Sequence, residues 1–167
     1  MDKNIFEIDY TYEDNKMWFR QETDESGILI SQEQVVTRHN GDMEYKYSFK
    51  KPEREHRDEW LYHMTRIENI PEIRKVGLVP KIGNCYANHW LAFMHDIDDK
   101  IRKKLYPGIF FLRGKRVTKG RVAGFRTCKV NVNDLNPQLL FVDDAWKNEE
   151  SLFYVGTVPP DKIQIIR

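Results

Sequence analysis

Apolar and polar side chains alternate along residues 5–10 and again along residues 43–49, the period-two pattern of strands with one buried face. Between them, Met17-Trp18-Phe19 and Gly27-Ile28-Leu29-Ile30 form two short apolar runs. Asp24-Glu25-Ser26-Gly27 and Asn40-Gly41 supply turn chemistry, since these residues tolerate left-handed backbone or bond their own main chain. Residues 50–59 are charged, contain Pro52 and hold little that is apolar, which marks a boundary. Residues 1–55 therefore read as a β-rich N-terminal extension packed on the same domain, and residues 56–167 as the core.

From Trp60 the period changes. Trp60-Leu61-Tyr62-His63-Met64 is short, aromatic and strand-like, and Ile67, Ile70, Ile73 and Val76 then recur every third residue, one stripe of a helix. Asn69 is placed to cap that helix, Pro71 suits its first turn, and Gly77 followed by Pro80 stops it. A second, longer helix is predicted over residues 87–105, with Trp90, Leu91, Met94, Ile97, Ile101 and Leu105 on one face. Its Arg102-Lys103-Lys104 end complements the helix dipole. After Pro107 the strand candidates are residues 108–112, 125–132, 139–142, 152–158 and 163–166. Strands with two main helices predict an α+β fold.

Composition narrows the class. The 167 residues suffice for one domain, and 40% hydrophobic with 13% aromatic content is that of a folded chain. No apolar run approaches the roughly 18 residues needed to span a bilayer, and Met1-Asp2-Lys3-Asn4 does not open a secretory signal. Two cysteines, Cys85 and Cys128, make no disulfide framework, so a cytoplasmic setting is expected, including delivery into a target cell's cytoplasm. The net charge of +1 hides an uneven distribution. Residues 1–60 carry 15 acidic and 9 basic side chains, whereas residues 101–130 carry ten basic ones, from Arg102 to Lys129, and no acid. Such a block is either a solvated face or a surface for phosphate.

Metal, thiol and fingerprint chemistry find little footing. Cys85, His89 and His95 match no common zinc spacing, and the two histidines fall on different helical faces. Cys128 sits in a strand candidate and reads as a small buried hydrophobe. Neither a Gly-x-Gly-x-x-Gly fingerprint, a phosphate-binding Walker loop nor a Gly-x-Ser-x-Gly elbow is present.

Three elements in order carry more. Leu61-Tyr62-His63-Met64-Thr65 with Glu68-Asn69-Ile70 and Gly77-Leu78, then Pro107-Gly108-Ile109-Phe110-Phe111, then Tyr154-Val155-Gly156-Thr157-Val158-Pro159-Pro160-Asp161-Lys162-Ile163, together span residues 60–167. The set resembles the ADP-ribosyltransferase superfamily, in its poly-ADP-ribose polymerase and diphtheria-toxin-like branch. Met64 stands where that pattern has glycine, and Phe110 where it has tyrosine. The resemblance implies an ADP-ribosyltransferase-like split β-sandwich with two main helices. It also implies NAD as substrate, no metal, and mono-ADP-ribosylation of a macromolecular target, protein or nucleic acid, by a toxin, effector or defence-related enzyme. A target or neutralising protein is a further implied partner, and a membrane is not.

The implied site follows the motif. Tyr62, His63, Met64 and Thr65 would hold nicotinamide and its ribose, with Phe110 stacking, Phe111 or Tyr86 on the other side of the ring, and Arg113, Lys115 and Arg116 near the pyrophosphate or a nucleic-acid acceptor. Breaking the glycosidic bond to a cationic leaving group passes through an oxocarbenium-like state that a carboxylate stabilises. Glu150 is the first candidate, catalytic together with His63; Glu149 and Asp144 follow. The family register falls nearer Ser151, an offset of one residue that would turn the side chain to the other face. Two other readings stay open: a non-catalytic module on the same fold that binds NAD, ADP-ribose, nucleic acid or protein, and an unrelated α+β nucleic-acid-binding domain.

Overall fold

Hydrophobic alternation is realised as ten antiparallel strands and one short α-helix among the described residues. The structure, a computed structural model, describes residues 2–38, 41–81, 106–114, 123–144 and 147–166. The predicted second helix, with Trp90, His89, His95 and the basic Arg102-Lys103-Lys104 end, lies outside these, as do Cys85, Tyr86, Lys115 and Arg116. No described helix is long and apolar enough to cross a membrane. Two compact units result, Met1–Pro52 with Phe141–Glu149, and Glu53–Leu140 with Glu150–Arg167.

In the first unit β1 (Asn4–Tyr12), β2 (Asn15–Thr23), β3 (Leu29–Arg38) and β4 (Met43–Lys50) form a meander. A further strand, Leu140–Asp143, pairs with the end of β4 through Phe49↔Asp143 and Lys50↔Val142. Asp24 makes the β2–β3 turn, its Oδ1 accepting from the backbone N–H groups of Ser26 and Ile28 at 2.9 Å, while Gly27 takes φ 81°. The β1–β2 hairpin turns on Glu13 and Asp14 with Glu13 at φ 53°, a turn without the Asn-Gly signature. β2 is three times as long as its apolar run, because its buried face reads Met17, Phe19, Gln21. The neighbouring face of β3 reads Gln32, Gln34, Val36.

In the second unit β5 (Trp60–Arg66) leads through a 3-10 turn into α1 (Ile70–Val76). Then β6 (Ile109–Arg113), β7 (Phe125–Asn131), β9 (Ser151–Tyr154) and β10 (Ile163–Ile166) follow; the first unit's Leu140–Asp143 strand is β8 in chain order. Within this unit the sheet order is β9-β6-β5-β7-β10, every pair antiparallel. Leu61, Phe111, Cys128, Val130 and Leu152 are buried on one face of it. Burying such side chains contributes about 2 kcal/mol each. In the predicted helical stripe Ile70 and Ile73 are buried, while Ile67 and Val76 lie exposed.

Candidate functional site

β5 places His63 and Thr65 on the face that α1 covers, two residues apart as a strand requires. Both line a cleft of ≈ 350 Å³ whose other walls are Glu68, Asn69, Glu72, Ile73 and Val76 from the helical side, Gly77–Val79, Lys81 and Gly108 from the connecting segments, and Ile109 from the start of β6. One glycine brings the main chains together at the cleft wall, and a second lets β6 lie close to an aromatic ring on the opposite face. Gly77 stands at φ 86°, and a Cβ there would collide with the Val158 carbonyl oxygen. The main chains meet at that point, Leu78 and Val158 exchanging hydrogen bonds of 2.9 Å. At Gly108 a Cβ would collide with the ring of Phe153.

His63 is 8% exposed. Its Nδ1 lies 2.8 Å from the carbonyl oxygen of Phe110, which can only accept, so Nδ1 carries the proton. Burial lowers its pKa below 6.5, more than the bond to Phe110 raises it. The ring is therefore neutral near pH 7, and Nε2 keeps an unshared lone pair with no partner among the described residues. Thr65 Oγ1 accepts from Asn69 Nδ2 at 3.1 Å. The expected Asn69 cap is thus replaced by this bond: Asn69 has helical backbone (φ −82°, ψ −13°) because the 3-10 turn Ile67–Asn69 precedes it, and a capping side chain needs extended backbone.

Register separates the other expected site residues. Leu61 pairs with Arg113 and Tyr62 with Leu112, so by alternation Phe111 and Ile109 share the His63 face. Tyr62, Met64 and Phe110 point to the opposite face, where the Phe110 ring packs on Phe153 at 4.9 Å. Phe111 is the aromatic neighbour of His63, edge-on at 6.0 Å and fully buried. Arg113 makes a two-pronged pair with Glu59, Nε to Oε1 and Nη2 to Oε2 both at 3.0 Å, and the same carboxylate meets His56 Nδ1 at 2.7 Å. Burial raises the Glu59 pKa, but the bonds to Arg113 and His56 outweigh it and hold the carboxylate below 4.5.

Glu150 is placed by Arg113, whose backbone N–H donates to the Glu150 carbonyl at 2.8 Å. Leu112 pairs with Ser151, so Glu150 shares the His63 face, while Ser151 is buried on the other. Two strand spacings and two residues separate Glu150 from His63, roughly 12 Å between Cα atoms. Glu150 is not among the cleft-lining residues. Just before it, Asn148 and Glu149 are both left-handed, φ 58° and 53°, a costly conformation for residues other than glycine. Asp144 is engaged in the first unit, by Ser48 Oγ at 3.1 Å and Lys50 Nζ at 3.1 Å. Cys128 is fully buried and its thiol is pushed up to about 11, so it is no nucleophile at neutral pH.

Glu72 and Lys81 line the cleft without having stood out in the sequence. The available signal was Glu68 and Glu72, carboxylates four residues apart where the predicted helical stripe begins. Comparison of the chain with protein-family models, with curated proteins and with solved structures gives no match.

Proposed function

We propose that the second unit is an NAD-dependent mono-ADP-ribosyltransferase acting on a macromolecular target, with the cleft beside His63 taking the nicotinamide riboside half of NAD. The observation that carries this reading is the state of His63. A neutral imidazole anchored through Nδ1 to the Phe110 carbonyl leaves Nε2 to accept a hydrogen bond from a ribose hydroxyl in the cleft. Thr65, whose oxygen is already oriented by Asn69, offers its hydroxyl hydrogen to the same ligand. The resemblance of Tyr62-to-Thr65, Gly108-to-Phe111 and the Pro159-Pro160 turn to the superfamily supplies the chemistry. In it the main chain at Met64 pairs with the carboxamide, and Glu150 steadies the oxocarbenium-like state from the same sheet face.

A second reading has its own observation. Glu150 lies outside the cleft lining, and Phe110 faces away from His63, which favours a module that binds NAD or ADP-ribose without transfer. Incubation with NAD and cell lysate, followed by quantification of released nicotinamide, separates the two. The transferase reading expects release, reduced about 100-fold in both His63→Ala and Glu150→Gln. Undiminished release in both variants removes the site, and calorimetric NAD binding with no release selects the binding module.

A further inference from the structure

β1 closes the first unit's sheet on one side. Among the described residues it pairs with β2 and with no other strand. Glu13 and Asp14 turn the chain between Tyr12 and Asn15, which makes those two a hydrogen-bonded pair. Bonded and non-bonded pairs alternate along an antiparallel ladder, so Tyr10, Ile8, Phe6 and Asn4 are the other residues bonded to β2. The N–H and C=O groups of Ile5, Glu7, Asp9 and Thr11 therefore point out of the sheet, with no backbone partner among the described residues. Natural edge strands are protected by being short, bulged, interrupted by proline or charged on the inner face. β1 has nine residues in unbroken register, no proline, and its charges, Glu7 and Asp9, on the outer face only. By contrast β10, which ends the second unit's sheet, has four residues.

The two rows of side chains on β1 say what would cover it. Phe6, Ile8 and Tyr10 stand on the side of Gln21, Phe19 and Met17, half-buried where those three are buried. Ile5, Glu7, Asp9 and Thr11 stand on the other side, all exposed. Trp18 Nε1 donates to Glu7 at 2.7 Å, whereas the Asp9 carboxylate makes no ion pair or hydrogen bond among the described residues. An added strand would bond the outward main-chain groups, extend the half-buried row with apolar side chains and set a cation against Asp9. A second copy of the chain fits poorly. In the two-fold registers centred on Glu7, Ile8 or Asp9, which pair most of β1 with itself, Glu7 or Asp9 falls opposite a carboxylate of the copy, and like charges so placed are destabilising. We propose that β1 is a docking edge for an extended segment of a partner protein, taken up as an additional strand. That segment carries apolar residues at alternate positions with lysine or arginine between them. The docking edge does not depend on the chemistry of the cleft beside His63.

The test uses the full chain and a strand-length peptide in which valine alternates with lysine. Amide hydrogen exchange read by NMR is expected to be fast at Ile5, Glu7, Asp9 and Thr11 in the chain alone and slowed there by the peptide. Phe6, Ile8 and Tyr10, already bonded to β2, should exchange slowly in both. Asp9→Lys is expected to weaken peptide binding about tenfold in calorimetry, with thermal stability retained because the side chain is exposed. A second measurement leaves the protein unaltered: N-methylation of the peptide at its valine amides or at its lysine amides should spare binding in one case and abolish it in the other, since alternate amides face the sheet. Absence of peptide binding, equal affinity for Asp9→Lys, binding that leaves exchange at those amides unchanged, or indifference to the place of methylation each overturns the proposal. Slow exchange at the same amides in the dilute chain alone also overturns it, because the edge is then covered from within the chain. Protection that rises with protein concentration, with a dimer in sedimentation, puts a second copy there and removes the partner.

Discussion

The two units bury polar side chains in opposite ways. In the first, Gln21 and Gln32 face each other across β2 and β3, the amide of one donating to the other at 3.0 Å, and Gln34 Nε2 reaches Met17 Sδ at 2.8 Å. These glutamines spend their hydrogen bonds inside the sheet, apart from Gln34 Oε1, which is buried with no partner among the described residues. In the second unit, His63 and Thr65 are equally buried but anchored by one bond each, so that a lone pair and a hydroxyl hydrogen remain directed at a cleft. Buried polarity that closes on itself favours one register; buried polarity held open stays available for further hydrogen bonds.

Substitutions that attack each arrangement should differ in size. The largest effect belongs to the wall of the cleft: Gly77→Ala combines a φ of 86° with a collision against the Val158 carbonyl, and a loss of about 3 kcal/mol in denaturant unfolding is expected. Wild-type stability in that variant would mean that the close approach to Val158 is not kept in solution. Next comes the glutamine row. Gln32→Leu takes away the acceptor of Gln21 Nε2 and is expected to cost about 1–2 kcal/mol. Gln34→Leu removes the orphaned carbonyl, so stability should hold level or rise by about 1 kcal/mol. If the two leucine variants lose equally, the glutamines are generic filler and the contrast with His63 disappears.

The smallest effect is in pH. His63 has a pKa lowered below the unfolded value of 6.5, so in the folded chain it resists protonation. Below pH 6.5 the unfolded chain takes up a proton that the folded one does not, and stability declines as pH falls toward the depressed folded value; above pH 6.5 the term vanishes. A plot of unfolding free energy against pH should therefore lose part of its acid-side slope in His63→Gln. An unchanged slope would show that the buried ring is not what titrates.

Much of the strand inventory was legible, for reasons visible at particular residues. β1 and β4 alternate openly, and the strands around Leu61, Phe111 and Phe125–Asn131 carry enough aromatic and β-branched residues to be recognised. β2 and β3 are longer than their apolar runs suggest because Gln21, Gln32 and Gln34 occupy buried positions, where a pattern of apolar residues reads a polar gap. His63, Thr65 and the Gly77 stop were recognisable from local order, and they do meet at one cleft. Pairing across the sheet was not: that Phe110 turns away from His63 follows from Tyr62 facing Leu112, and that Arg113 is held by Glu59 depends on a partner 54 residues earlier. Glu72 looked like any solvated helix charge until the cleft gave it a neighbour.

The Leu78–Val158 bridge has a consequence in time as well as in space. It joins main chains separated by 80 positions, whereas α1 forms from near neighbours and β5 pairs with β6 and β7, both of which precede Val158 in the chain. Contacts of such long sequence separation carry the full entropy of closing the intervening chain and form late. During synthesis, His63 and α1 emerge well before Val158 is available to fix the Gly77–Leu78 wall. The cleft is therefore among the last features of the second unit to be completed, and a chain still growing through its middle carries His63 and Thr65 without the wall that encloses them.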